Sequence, residues 1–255
     1  MKAVSEDKYL SSFTRGESVS TTQSPEDKSI SDYLREKRIE DKKAADNAAV
    51  RVIADVGDEI DIDGLLVKVT YAKFYDNVYE IQADGIPYVD DYIQRAINRR
   101  KKEIEKGWND LAFYYDEESG RYINSRGKYY PQILVIQYEY HETRKYSYEF
   151  DIFPNLAVVR DSLDYTDLHM FDGQCIYADE FEFDRTDADA YLLSIAEKSE
   201  DKCLHLTSFV VVNRDAPTDP DVVKLYLDFS ANYPGYYSKK VNERATYRCK
   251  IYERE

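Results

Sequence analysis

The chain has 255 residues, enough for one or two domains whose core needs no disulfide staples. It carries 50 acidic against 35 basic residues, a formal net charge of −15, which argues against nucleic acid or an anionic membrane as a partner held by bulk charge. Hydrophobic residues make up 43% of it, so most of the chain is expected to fold.

Residues 1–28 contain "SSFTRGESVSTTQSPEDKS". This stretch is rich in Ser and Thr, charged and without periodicity, and reads as a flexible tether. Residues 29–49 hold strong helix formers behind a capping signal at Ser29 or Ser31. Ile30, Tyr33, Leu34 and Ile39 make only a thin apolar stripe, so a short, loosely docked helix is expected.

From residue 50 the period changes. In "VGDEIDIDGLLVKVTYAKFYDN", Ile60 and Ile62 alternate with Asp61 and Asp63, and Leu65, Val67, Val69 and Tyr71 alternate after Gly64. Period two means strands, and Asp63-Gly64 is a strong turn signal, so 59–75 is expected to be a β-hairpin. The same stretch can be laid on a calcium loop with Glu59, Asp61 and Asp63 at its first, third and fifth positions. The twelfth position then falls on Thr70 instead of a bidentate Glu, and a strand replaces the exiting helix. The hairpin is the reading kept.

One clear helix follows at about 90–107. Tyr92, Ile93, Ala96, Ile97, Ile104 and Trp108 fall on one face, Asp90 or Asp91 is placed as the cap, and Gly107 as the closing turn. The rest reads as short strands. "FYYDEESGRYIN" is expected to turn at Ser119-Gly120, "YYPQILVIQYEYHE" is a long strand, and further strands lie in "KYSYEFDIFPNLAVVRD", "GQCIYADEFEF", "CLHLTSFVVVNRD", "DVVKLYLDFSA" and "RATYRCKIYERE". Residues 187–200 fit helix or strand equally. Many short strands with little helix predict a mainly β fold, a sandwich or barrel over residues 50–255 with an inserted amphipathic helix.

Signatures of chemistry are sparse. Cys175, Cys203 and Cys249 form no C-x-x-C pair and are odd in number, so each is expected to act as a small apolar residue. His141, His169 and His205 show no H-E-x-x-H spacing. His205 falls in an apolar strand pattern, as a core or sheet-face residue, and His169 in "DLHMFDG" is placed in a loop, free to act. There is no G-x-S-x-G elbow and no glycine-rich phosphate loop. Asp215, Asp219 and Asp221 could gather round a calcium ion, with no spacing to support it. No catalytic residue, cofactor or metal is expected.

Tyrosine is in excess, 25 against 10 Phe and 1 Trp. It suits strand packing first and contact surfaces second. The candidate ligand-contact residues are Trp108, Tyr138, Tyr140 and His169.

From Val56 onward, the order "VGDEIDIDGLLVKVTYAKFYDNVYE", a helical insertion, "QILVIQYEYHE", "YSYEFDIFPNLAVVRDS", "HMFDGQ", "LHLTSFVVV" and "VVKLYLDFS" resembles a group of bacterial domains. These are uncharacterised extracellular domains of Firmicutes-type, Gram-positive bacteria, often carried on lipoproteins. The likeness covers about residues 52–255. It implies an immunoglobulin-like β-sandwich at the cell surface or secreted, on a polar tether, with an export signal or lipid anchor outside this sequence.

The expected function is a non-enzymatic binding or adhesion module for a protein or glycan. The alternative is a cytosolic acidic partner protein, an immunity protein or nucleic-acid mimic, that binds a basic protein. A hydrolase built on His169 finds no supporting constellation.

Overall fold

In the computed structural model, the described residues are 29–48, 50–62, 64–108, 113–124, 130–142, 150–151, 154–169, 175–178, 192–193, 203–213, 215–230 and 245–255. The tether read over 1–28 and most of 187–200 lie outside them. The chain divides into two units, Met1–Lys37 and Arg38–Glu255. The Ser29 hydroxyl in the first accepts from the Asp32 backbone N–H at 3.2 Å and opens helix α1 (Ile30–Asp46), whose residues from Arg38 on belong to the second. Ile30, Tyr33 and Leu34 are exposed.

The second unit is a β-sandwich. One five-stranded sheet has the order β1 (Arg51–Asp55), β14 (Thr246–Glu253), β13 (Val222–Asp228), β8 (Asn155–Arg160), β9 (Asp167–His169). The other runs β10 (Cys175–Ala178), β12 (Cys203–Val212), β6 (Gln132–Glu142), β3 (Leu65–Tyr75), β2 (Glu59–Ile62). Strand β1 pairs parallel with β14, and the other pairs within these sheets are antiparallel. Two small pairs stand apart, β4 (Phe113–Asp116) with β5 (Arg121–Asn124), and β7 (Phe150–Asp151) with β11 (Leu192–Leu193).

The hairpin reading of 59–75 is correct. Gly64 takes φ +90°, where a side chain would be strained, and donates its N–H to the Asp61 carboxylate at 2.6 Å. Asp61 therefore serves the turn. The β4–β5 turn closes the same way, with Gly120 at φ +64° and Asp116 accepting from the Ser119 N–H at 3.0 Å.

Alternation fills the space between the sheets. Ile60, Val67, Leu134, Ile136, Leu204 and Leu206 from one sheet meet Leu156, Val158, Leu225, Leu227, Phe229 and Cys249 from the other. Tyr138 and Tyr140 belong to this core, at 1% and 0% exposure. Placing them as ligand contacts is therefore corrected. Strand β6 turns their face toward the opposite sheet, and their rings pack edge to face at 5.7 Å.

The outer face of the β14 sheet holds a buried charge. Arg248 on β14 lies opposite Asp228 on β13 in register, and its Nε donates to Asp228 at 2.6 Å. Its Nη1 donates to Asp46, near the end of α1, at 3.0 Å, and to the Thr166 hydroxyl at 3.2 Å. Burial alone would lower the Arg248 pKa, but the Asp228 and Asp46 carboxylates outweigh it and hold it above its ordinary value.

The outer face of the β6 sheet is half covered by helices. The predicted insertion is two helices, α2 (Val78–Ala83) and α3 (Val89–Glu105). A bulge between Val69 and Tyr71 shifts the β3 register, so that Tyr71 and Tyr75 pack with the helices while Val67 and Val69 face the sandwich core. Under the helices lies a second apolar cluster with Val78, Ile81, Tyr92, Ile133, Val135, Tyr177 and Phe209. Tyr92 stacks on Phe209 at 4.6 Å and Tyr88 on Tyr177 at 5.1 Å. Among the described residues, tyrosine thus serves packing to a large extent.

Candidate functional site

The expected cap of α3 is corrected. Asp90 and Asp91 lie inside the first turn, and the N-cap is Tyr88, left-handed at φ +63° with no side-chain capping bond. Its ring stack on Tyr177 holds it there, a conformation that costs a non-glycine residue energy. The far end of α3 follows the sequence reading. Gly107 at φ +77° lets its N–H reach Ile104 O at 2.9 Å and the Trp108 N–H reach Glu103 O at 2.9 Å, which is a Schellman closure.

That closure fixes the direction of Trp108. The sequence places Trp108 and Ile104 on the same face as Tyr92 and Ala96, but only the first turns of that face meet the sheet. Tyr92 and Ala96 are buried, whereas Ile104 is 47% and Trp108 54% exposed. Lys106 stands over the indole ring at 5.0 Å. Beside this tip, α3 and the β4–β5 hairpin frame a shallow cleft lined by Arg99, Arg100, Glu103, Tyr114 and Tyr122. The Arg100 guanidinium lies 4.3 Å above the Tyr114 ring.

His169 is in the short edge strand β9 and not in a loop. Its Nε2 lies 3.1 Å from Asp167, and its Nδ1 lies 3.8 Å from Asp215. Asp167 also holds Lys42. Asp215 and Asp219, considered above as calcium ligands, both hold Arg160, with Nη1 at 2.7 Å from Asp219. A guanidinium occupies the place a cation would take. Burial pulls the Arg160 pKa down, and its hydrogen bonds to Asp219 and Asp215 more than restore it. Trp108 and His169 belong to different sheets' surroundings, and the two buried tyrosines to the core, so the four predicted contact residues do not gather into one site.

A different group does gather. Beyond the helices, the outer face of the β6 sheet is polar. Cys203 and His205 on β12 lie opposite His141 and Glu139 on β6. The Cys203 Sγ is 3.6 Å from the His205 Nε2, which is 3.9 Å from the Glu139 Oε1. These ligand atoms all lie within 4.8 Å of one another and all three residues are half-buried. Sequence reasoning missed the group because its two halves are over sixty residues apart. The signal was present as E-Y-H on one strand and C-L-H on another, each placing two polar side chains of ligand type on one strand face. Cys249 is different in kind, since burial in the core pushes its thiol up to about 12.

No protein-family model and no curated protein matches the sequence. Among solved structures, the chain is similar to the crystal structure of an uncharacterized β-sandwich protein from Clostridium difficile 630. Identity is 8% and the TM-score 0.36, over 80% of this chain and 96% of that one. Among the described residues, no helix is long and apolar enough to cross a membrane.

Proposed function

We propose that the chain is a non-enzymatic binding module, an immunoglobulin-like sandwich at the cell surface or secreted, that meets a protein or glycan through the tip of α3. The observation that carries this reading is Trp108. It is the only tryptophan, its backbone N–H closes the end of α3 on Glu103 O, and both it and Ile104, four residues before it, stand exposed. An aromatic side chain with few rotatable bonds supplies contact area at small entropic cost, the usual character of an energetic anchor in an interface. The packing of two largely antiparallel sheets supports the sandwich family. The polar, Ser/Thr-rich sequence of residues 1–28 suits a spacer from an N-terminal lipid anchor.

The lone tryptophan makes the test direct. Fluorescence of the full chain is titrated with a panel of cell-wall glycans and secreted proteins from the native cell. A ligand that shifts Trp108 emission and binds at least about thirtyfold more weakly to Trp108→Ala supports the reading, since an anchor is worth about 2 kcal/mol or more. Ligands that bind both forms equally refute it. In parallel, intact cells are treated with external protease, and survival of the band alongside a cytosolic control rules out surface display.

The second reading is a cytosolic acidic partner of a basic protein. It is favoured by the net charge of −15 and by the half-exposed Cys175 and Cys203, which suit a reducing compartment. It requires association that weakens steeply with salt.

A further inference from the structure

We infer that Glu139, Cys203 and His205 form a binding site for a zinc-like divalent metal ion on the half of the β6 sheet's outer face that α2 and α3 leave uncovered. The argument starts from register. Cys203 and His205 are two residues apart on β12, so both side chains leave the same face. Antiparallel pairing sets Glu139 directly beside His205, and His141 directly beside Cys203. Side chains that face each other across two strands have Cβ atoms roughly 4.5–5.5 Å apart, a spacing that one small ion can bridge. The sheet fixes all four backbones, so little order has to be created on binding.

One donor distance matches tetrahedral coordination, a second is close to it, and all three lie within 4.8 Å. Zinc bonds of about 2.3 Å to sulfur and about 2.0 Å to nitrogen, at a tetrahedral angle, set the two donors about 3.5 Å apart. The Cys203 Sγ and His205 Nε2 are separated by 3.6 Å. The Glu139 Oε1 is 3.9 Å from that nitrogen, slightly wider than the ~3.3 Å a bound ion would set, and a small carboxylate rotation closes the gap. His141 is exposed on the same face and is the protein side chain nearest in register for a fourth position.

The donor set selects the metal. One thiol, one imidazole and one carboxylate suit zinc or cobalt, whereas calcium and magnesium require oxygen donors throughout. Coordination is balanced by release of the Cys203 thiol proton to solvent, leaving the thiolate on the ion. Half-burial leaves a path of entry from solvent.

The site is tested on the reduced, chelator-treated full chain by titration with Co²⁺. One equivalent should raise a thiolate-to-cobalt charge-transfer band, and Zn²⁺ should erase it. The band should vanish in Cys203→Ser and His205→Ala and persist in Cys175→Ser. Glu139→Gln should weaken binding by more than about tenfold, since even outer-shell partners of a metal cost that much. Circular dichroism of each variant confirms that it is folded. A readout without variants accompanies this: Zn²⁺ should slow alkylation of Cys203 in the unaltered chain and leave Cys175 unaffected, as read by mass spectrometry. No band at one equivalent, a band that survives Cys203→Ser, or alkylation of Cys203 that Zn²⁺ does not slow would each overturn the site.

Discussion

Strands β6 and β12 each cross two environments, and their sequences change character where the cover changes. Under α2 and α3, β6 reads "ILVI", with Ile133 and Val135 facing the helices and Leu134 and Ile136 facing the sandwich. Past the helices it reads "QYEYH", with Tyr138 and Tyr140 still inward and Gln137, Glu139 and His141 on the outer face. Strand β12 does the same in reverse, from "CLHL" to "FVVV". One face of one sheet is thus a protein interior at one end and a polar, half-buried surface at the other. The inner face never changes, because the opposite sheet covers it throughout. The period of a strand therefore reports what covers each face, residue by residue.

The sharpest way to break this comparison is to remove a side chain from each half. Phe209→Ala, beneath Tyr92 and fully buried, should destabilise the fold by about 3–5 kcal/mol through lost contact and a residual cavity. Denaturant titration gives the value, and a loss below ~1 kcal/mol would mean that the helices are not a true cover. Arg248→Leu tests a polar cover of comparable weight. It strands Asp228 and Asp46 without their cation, and breaking such a buried pair costs about 3–5 kcal/mol.

Tyr92→Phe keeps the ring and removes only the hydroxyl that donates to Tyr122 at 3.1 Å. A loss of about 1 kcal/mol is expected, the net worth of one such bond. The thiols extend the comparison to pH. Burial raises the Cys249 pKa to about 12, so its neutral form is favoured in the fold. Its contribution to stability is complete below the ordinary thiol range and is lost as pH rises toward about 12. At pH 8, alkylation should reach Cys203 in the native protein and Cys249 only on unfolding. The smallest effect belongs to the uncovered half. Glu139→Gln in the metal-free protein should move stability by no more than ~0.5 kcal/mol.

Much of the fold was legible because local signals agreed. Asp63-Gly64 and Ser119-Gly120 marked turns, alternation marked the strands, and Gly107 marked the end of α3. Helix α2 was missed, though Asn77 and Glu80 form a capping pair, with the Glu80 N–H donating to Asn77 at 3.0 Å. Six residues are too few for a periodic stripe to show. Tyr138, Tyr140 and Trp108 were misjudged or left open for one reason. An aromatic residue suits a core and a contact surface equally well, and only the cover over each position separates the two.

The sequence by itself determined the element types, the main turns and the mainly β class, since those depend on periods of two and 3.6 and on a few backbone-specific residues. Only the tertiary structure decided which strand faces are sealed and which are open. It alone set Cys203 and His205 beside Glu139, and Arg248 between Asp228 and Asp46. Those partnerships join residues from 20 to 202 positions apart, and the packing of elements and the register of strands, which no local pattern specifies, bring them within reach.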